Sequence, residues 1–112
     1  MAQFRVDKRS NGEFQFNLLG NNGEIILTSE SYGTKANCLN GIESVRINSK
    51  NPERFEQRSS KDGRPYFVLK AANGQIIGVS QMYGTVDNCK NGIESVMKSA
   101  PKAEFEKEDE ED

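Results

Sequence analysis

The sequence predicts an α+β fold made of a tandem, pseudo-symmetric repeat, each copy a three-stranded antiparallel meander followed by one helix packed on the sheet. Three observations predict it. The string YGTKANCLNGIESV at residues 32–45 returns as YGTVDNCKNGIESV at residues 83–96. Each copy is preceded by short apolar-alternating runs separated by Asn-Gly or Asp-Gly, the signal of β-hairpins. Each then ends on an apolar stripe with the period of a helix.

Shifting the sequence by 51 places lays residues 4–49 on residues 55–100 without a gap, and 20 of the 46 positions are identical. This internal duplication divides the chain into a first repeat (1–49), a linker (50–54), a second repeat (55–100) and an acidic tail (101–112) expected to be disordered. One copy is short for a self-sufficient core, so the two are expected to share one compact domain and to make the chain a monomer.

Taken in order, Phe4 and Val6 alternate with Arg5 and Asp7, the period of a half-buried strand. Asn11-Gly12 and Asp62-Gly63 mark the first turn of each copy, and Asn22-Gly23 and Asn73-Gly74 the second. These dipeptides suit type I′ turns, which need positive φ. The second strand has Phe14, Phe16 and Leu18 on one face, matched by Phe67 and Leu69. The third, EIILTS or QIIGVS, carries adjacent apolar residues, as expected of a strand covered on both faces. Thr34 and Thr85 stand at helix N-cap positions, with Asn37 and Asn88 where a capping box would hold Glu or Gln. Cys38, Gly41, Ile42 and Val45 form one helical stripe, as do Cys89, Gly92, Ile93 and Val96. Gly41 and Gly92 weaken a helix, so a close approach of the helix backbone to the sheet is one reason for them. A helix stop at Asn40-Gly41 is the other. Pro52 and Pro101 end the two helices.

The segments GNNGEIILTSESYGTKANCLNGIESV and AANGQIIGVSQMYGTVDNCKNGIESV resemble the YegP-like family of small, mostly bacterial proteins, built from one or two copies of a domain of about 50 residues. The resemblance covers residues 4–100. It implies an α+β domain with tandem copies in pseudo-symmetry, and no catalytic residue, substrate or cofactor.

Composition narrows the chemistry. The chain has no histidine and two cysteines, which excludes histidine-based acid–base catalysis and leaves a one-chain zinc site short of ligands. No run approaches the roughly 18 apolar residues of a membrane helix. The first residues lack a secretory h-region, so a cytoplasmic protein without membrane, metal or cofactor is expected. Residues 101–112 carry seven acids and two bases, whereas residues 1–100 carry ten acids and thirteen bases.

The candidate ligand-binding residues are those whose identity in both copies packing does not demand. Asn37, Asn40 and Ser44 form a polar helix stripe repeated as Asn88, Asn91 and Ser95, and Tyr32 and Tyr83 precede the helix caps. The bland reading ties the Asn and Ser side chains to strand ends or to the other repeat, and makes the tyrosines hydrophobic lids with wet hydroxyls. The functional reading is a non-enzymatic binding or protein-interaction surface. The alternative is weak nucleic-acid binding through Arg46, Lys50, Arg54, Arg58, Lys61 and Arg64, modulated by the tail. Cys38 and Cys89 read as small buried hydrophobes. Glu43 and Glu94 read as boundary salt-bridge partners, with no second acid for a catalytic dyad.

Overall fold

The computed structural model describes residues 2–105. Strands β1 (Gln3–Lys8), β2 (Phe14–Leu19) and β3 (Ile25–Thr28) lead to helix α1 (Lys35–Asn48), and β4 (Phe55–Ser59), β5 (Pro65–Lys70) and β6 (Ile76–Val79) lead to α2 (Val86–Ser99). A two-residue strand, β7 (Glu104–Phe105), closes the described chain. All seven strands form one sheet in the order β4-β5-β6-β3-β2-β1-β7.

The repeats join where β3 and β6 pair antiparallel, Thr28 opposite Val79. These two residues are equivalent under the 51-residue shift, so a pseudo-two-fold axis passes between them. Two antiparallel strands of one sheet are related by an axis normal to that sheet, so the axis keeps α1 and α2 on the same face. Under the helices lies one core: Phe4, Val6, Phe16, Leu18 and Leu27 from the first repeat, Phe67 and Leu69 from the second, with Cys38, Ile42, Val45, Cys89 and Val96 from the helices. Phe4 packs edge-on against Phe16 and Phe55 edge-on against Phe67. Both helices run uninterrupted through Asn40-Gly41 and Asn91-Gly92, and Thr34 and Thr85 cap them, accepting from the N–H groups of Asn37 and Asn88 at 3.1 and 3.0 Å. Each such cap is worth about 1 kcal/mol.

Three sequence expectations are corrected and a fourth is sharpened. The hairpin turns are not type I′: glycines 12, 23, 63 and 74 have φ of +84 to +89°, but no other described residue has positive φ. Gly12 donates to Arg9 O while Arg9 donates to Glu13 O, the three-residue loop in which a type I turn ends on a left-handed glycine; the other three hairpins repeat it. Asn11, Asn22 and Asn73 earn their positions otherwise, each side-chain oxygen accepting from the N–H two residues on.

The third strand is not sandwiched. The ladder shifts between Leu18 and Leu19, and between Leu69 and Lys70, setting Ile25 opposite Leu19 and Ile76 opposite Lys70. Ile26 and Ile77 are the extra residues of these bulges, and both join the core beneath the helices. Adjacent apolar residues thus report a bulge.

At Gly41 and Gly92 the helix does come close to the sheet, and aromatic side chains occupy the gap. Tyr32 lies stacked on Phe16 and reaches under α1, where a Cβ on Gly41 would meet its Oη, its Cζ at 2.8 Å and Phe16 Cε2 at 3.0 Å. Tyr83, Phe67 and Gly92 repeat the arrangement, with Cζ at 2.6 Å. The glycines are the slots into which the tyrosines fit.

Finally, order extends past Pro101. Ala100–Lys102 form a single 3-10 turn, Ala103 is buried, and β7 pairs parallel with β1 through Gln3–Glu104 and Phe4–Phe105. The disorder expected from residue 101 is therefore wrong for residues 101–105, because Ala100 and Ala103 fill the core beside the helix ends. Residues 106–112 of the expected tail lie outside the described residues. The linker likewise holds a 3-10 turn at Pro52–Arg54, capped by Asn51.

Candidate functional site

The polar stripe falls into two parts. Asn37 and Asn40 on α1, and Asn88 and Asn91 on α2, are exposed, and among the described residues their side-chain amides make no hydrogen bond. They tie neither helix to a strand nor repeat to repeat. Ser44 differs, because Asn48 donates to its carbonyl and hydroxyl at 2.8 and 3.2 Å while Arg54 donates to Asn48. That network anchors the end of α1 to the linker. Ser95 is exposed, and Ser99 replaces Asn48 at the equivalent position. Four amides therefore remain unused, two on each helix, on the same side of the molecule.

An open groove of about 300 Å³ adjoins one of them, lined by Leu39, Asn40, Ile42, Glu43, Arg46 and Phe105. Leu39 and Phe105 are more than one-third exposed, Ile42 forms the floor, and Arg46 holds Glu43 at 2.5 Å. Arg46 also donates to Ala103 O at 2.8 Å and lies 5.4 Å from the Phe4 ring centre. It is a clamp between α1 and the chain leading to β7, and Phe105 of β7 forms one wall of the groove.

Tyr32 and Tyr83 are packing residues with half-buried rings rather than rim lids or free stacking platforms. Burial pushes both phenols above their ordinary range, with the neighbouring Cys38 adding to the rise at Tyr32 and Cys89 to that at Tyr83. Burial also pushes the Cys38 thiol up to about 11, against a small opposing pull from Lys35, and raises Cys89. Both cysteines are free and fully buried. A thiol held protonated and out of solvent is a poor nucleophile or metal ligand.

The six basic residues do not form one surface. Phe55 and Gln57 stand opposite core residues Leu69 and Phe67, so Arg58, one place on, points to the face away from the helices. Arg46 belongs to the helix layer, and Lys61 and Arg64 lie in or beside the β4–β5 turn. Arg58 is paired with Glu56 and Arg64 with Asp62, both at 3.0 Å, while Arg54 is held by Asn48. Separation onto two faces and local pairing leave no continuous basic footprint.

Ser29 and Ser80 carry a role that residue spacing did not disclose. The Oγ of Ser29 accepts from Phe16 N at 2.9 Å and donates to Glu30 O, and Ser80 does the same for Phe67 N and Gln81 O. Each buried hydroxyl supplies a ladder bond that β3 or β6 no longer provides. The only signal was identity in both copies.

A family described as "Domain of unknown function (DUF1508)" matches residues 10–56 and again residues 60–106. A UPF0339 protein of Pseudomonas aeruginosa is 48% identical over 102 residues, covering 91% of this chain and 93% of that protein. The UPF0339 protein YegP of Yersinia pestis is 48% identical over 99 residues, 88% of each. The solution NMR structure of a UPF0339 protein from Shewanella oneidensis superposes with a TM-score of 0.88 at 46% identity, covering 94% of this chain and 89% of that one. The solution NMR structure of yegP from E. coli, described as a protein of unknown function, gives 0.88 at 45% identity over 94% and 90%. Duplicated motif, shared sheet and close relatives agree: the chain belongs to the UPF0339 family, and consists of two DUF1508 repeats.

Proposed function

We propose that this protein is a non-enzymatic binding module that engages a protein partner through the amide-bearing outer faces of α1 and α2. One observation carries the reading: Asn37, Asn40, Asn88 and Asn91 are the same in both repeats and exposed, and among the described residues their side-chain amides make no hydrogen bond. A side chain amide is both donor and acceptor, so two equivalent pairs suit a partner's main chain or a repeated polar surface. Exposed Leu39 on α1 and Val86 on α2 add apolar area beside them. The buried, protonated thiols, together with Glu43 committed to Arg46, support binding over catalysis. Two free cysteines also fit a reducing, cytoplasmic setting, and among the described residues no helix is long and apolar enough to cross a membrane.

The test is amide shift mapping of the full chain against a panel of peptides, metabolites and oligonucleotides. Binding should move resonances at and around the four asparagines, and the variant with all four changed to Ala should keep its spectrum but lose the shifts. Ligand shifts confined to the helix-free face of the sheet, unaffected by that variant, would overturn the reading.

A further inference from the structure

The sheet has two edges, and they differ. The outer edge of β1 is taken at Gln3 and Phe4 by β7, whereas no described strand covers β4. The direction of the backbone groups on β4 follows from its neighbours. Pro65 and Phe67 of β5 spend their carbonyls on Tyr83 N and Ser80 N, toward β6. Alternation then turns Tyr66 and Val68 toward β4, where they bond their partners Arg58 and Glu56. Phe55, Gln57 and Ser59 consequently direct their backbone groups outward, with only the Phe55 N–H already occupied, by Pro52 O.

We propose that β4 pairs antiparallel with β4 of a second copy of this chain, about a two-fold axis through Gln57. In that register the two Gln57 residues exchange both main-chain hydrogen bonds, and each Ser59 N–H donates to Phe55 O of the second copy. The remaining pairs set Glu56 opposite Arg58 of the second copy and Arg58 opposite its Glu56. These are non-hydrogen-bonded positions, where facing side chains approach most closely. Charged side chains on an edge strand commonly discourage pairing. Here their order, acidic then basic about a central neutral residue, makes the strand complementary to itself. Within one copy Arg58 shares Glu56 with Lys70. In the pair each Arg58 gains a second carboxylate neighbour, Glu56 of the other copy. The axis is normal to the sheet, the same operation that joins β3 to β6 within one chain. The completed core argues for a folded monomer; the open edge makes that monomer half of a closed dimer.

The experiment is sedimentation of the full chain over a concentration series reaching about 1 mM, with hydrogen exchange at Gln57 and Ser59. The expected result is a rise to twice the monomer mass, with both amides gaining protection in step. Gln57→Pro removes an outward N–H and leaves the bonds to β5 intact, so it should stay folded and weaken association at least about tenfold. Arg58→Glu and Glu56→Arg should each be monomeric alone, since each sets like charges opposite, and should form a mixed dimer when combined. A native chain that remains monomeric throughout the series overturns the proposal. So does Gln57→Pro association equal to the native, or a charge-variant mixture that stays monomeric while the native chain dimerises.

Discussion

Substituting Gly78 by Ala tests what holds the two repeats together. Gly78 occupies the place that Leu27 occupies in the first copy, and the two meet beside the pseudo-two-fold axis. A Cβ on Gly78 would stand 2.7 Å from Leu27 Cδ2 and 2.8 Å from its Cγ. Leu27 is fully buried, and Cγ is not a free end that swings aside. Strand propensity alone predicts that Ala stabilises this position by about 0.5–1 kcal/mol. Overpacking predicts the opposite sign, a loss of about 1–3 kcal/mol. The clash is the larger effect, so the urea midpoint should fall by roughly 1 M for a slope near 1–2 kcal/mol per M. Leu27→Ala should cost about 2–5 kcal/mol through its cavity. In the double variant the obstructing Cγ is gone, so the losses should be less than additive by about 1–3 kcal/mol. The assay is a urea-melt double-mutant cycle with all four slopes compared. A raised or unchanged midpoint for Gly78→Ala, or additivity within about 0.5 kcal/mol, would refute the claim that a Leu-on-Gly fit sets the repeat interface.

Gly92→Ala should likewise destabilise despite the better helix propensity of Ala, because its Cβ lies 2.6 Å from Tyr83 Cζ; pairing it with Tyr83→Ala should recover part of the loss in thermal melts. Ser80→Ala should cost about 1–3 kcal/mol by orphaning the buried Phe67 N–H, read from denaturant melts, whereas Asn91→Ala should change the midpoint little. The Cys38 thiol is raised from 9.0 to about 11 by burial, so the fold favours the protonated form. Stability from this group is intact below pH 9.0 and lost as pH rises toward about 11. Thiolate absorbance of the native protein should therefore appear later in a pH titration than that of the urea-unfolded chain. Coincident titration curves would contradict the burial.

Much of this molecule was legible in the residues because it is locally determined. The positions of the four hairpin glycines, the Thr34 and Thr85 caps and the helix stripe around Cys38 and Cys89 follow from backbone and side-chain chemistry within a few residues. The 51-residue identity likewise announced two copies and one pseudo-symmetric fold. The candidate site was legible only in part. Identity between copies selected the asparagines, the tyrosines and Ser44 alike, without separating a surface amide from a side chain that fills a slot or closes a helix end.

Tertiary structure made that separation. Tyr32 meets Gly41 only after the loop before α1 folds over Phe16, and Ser29 meets Phe16 N only once β3 has paired with β2 and ended at Thr28. The joining of two meanders into one sheet at Thr28 and Val79, and the addition of Glu104–Phe105 beside β1, are pairings between residues distant in sequence. Their energies depend on which edges and faces remain uncovered after everything else has packed. Local pattern determined what each repeat is; long-range packing decided how the repeats share a core, and which of their repeated side chains were left free.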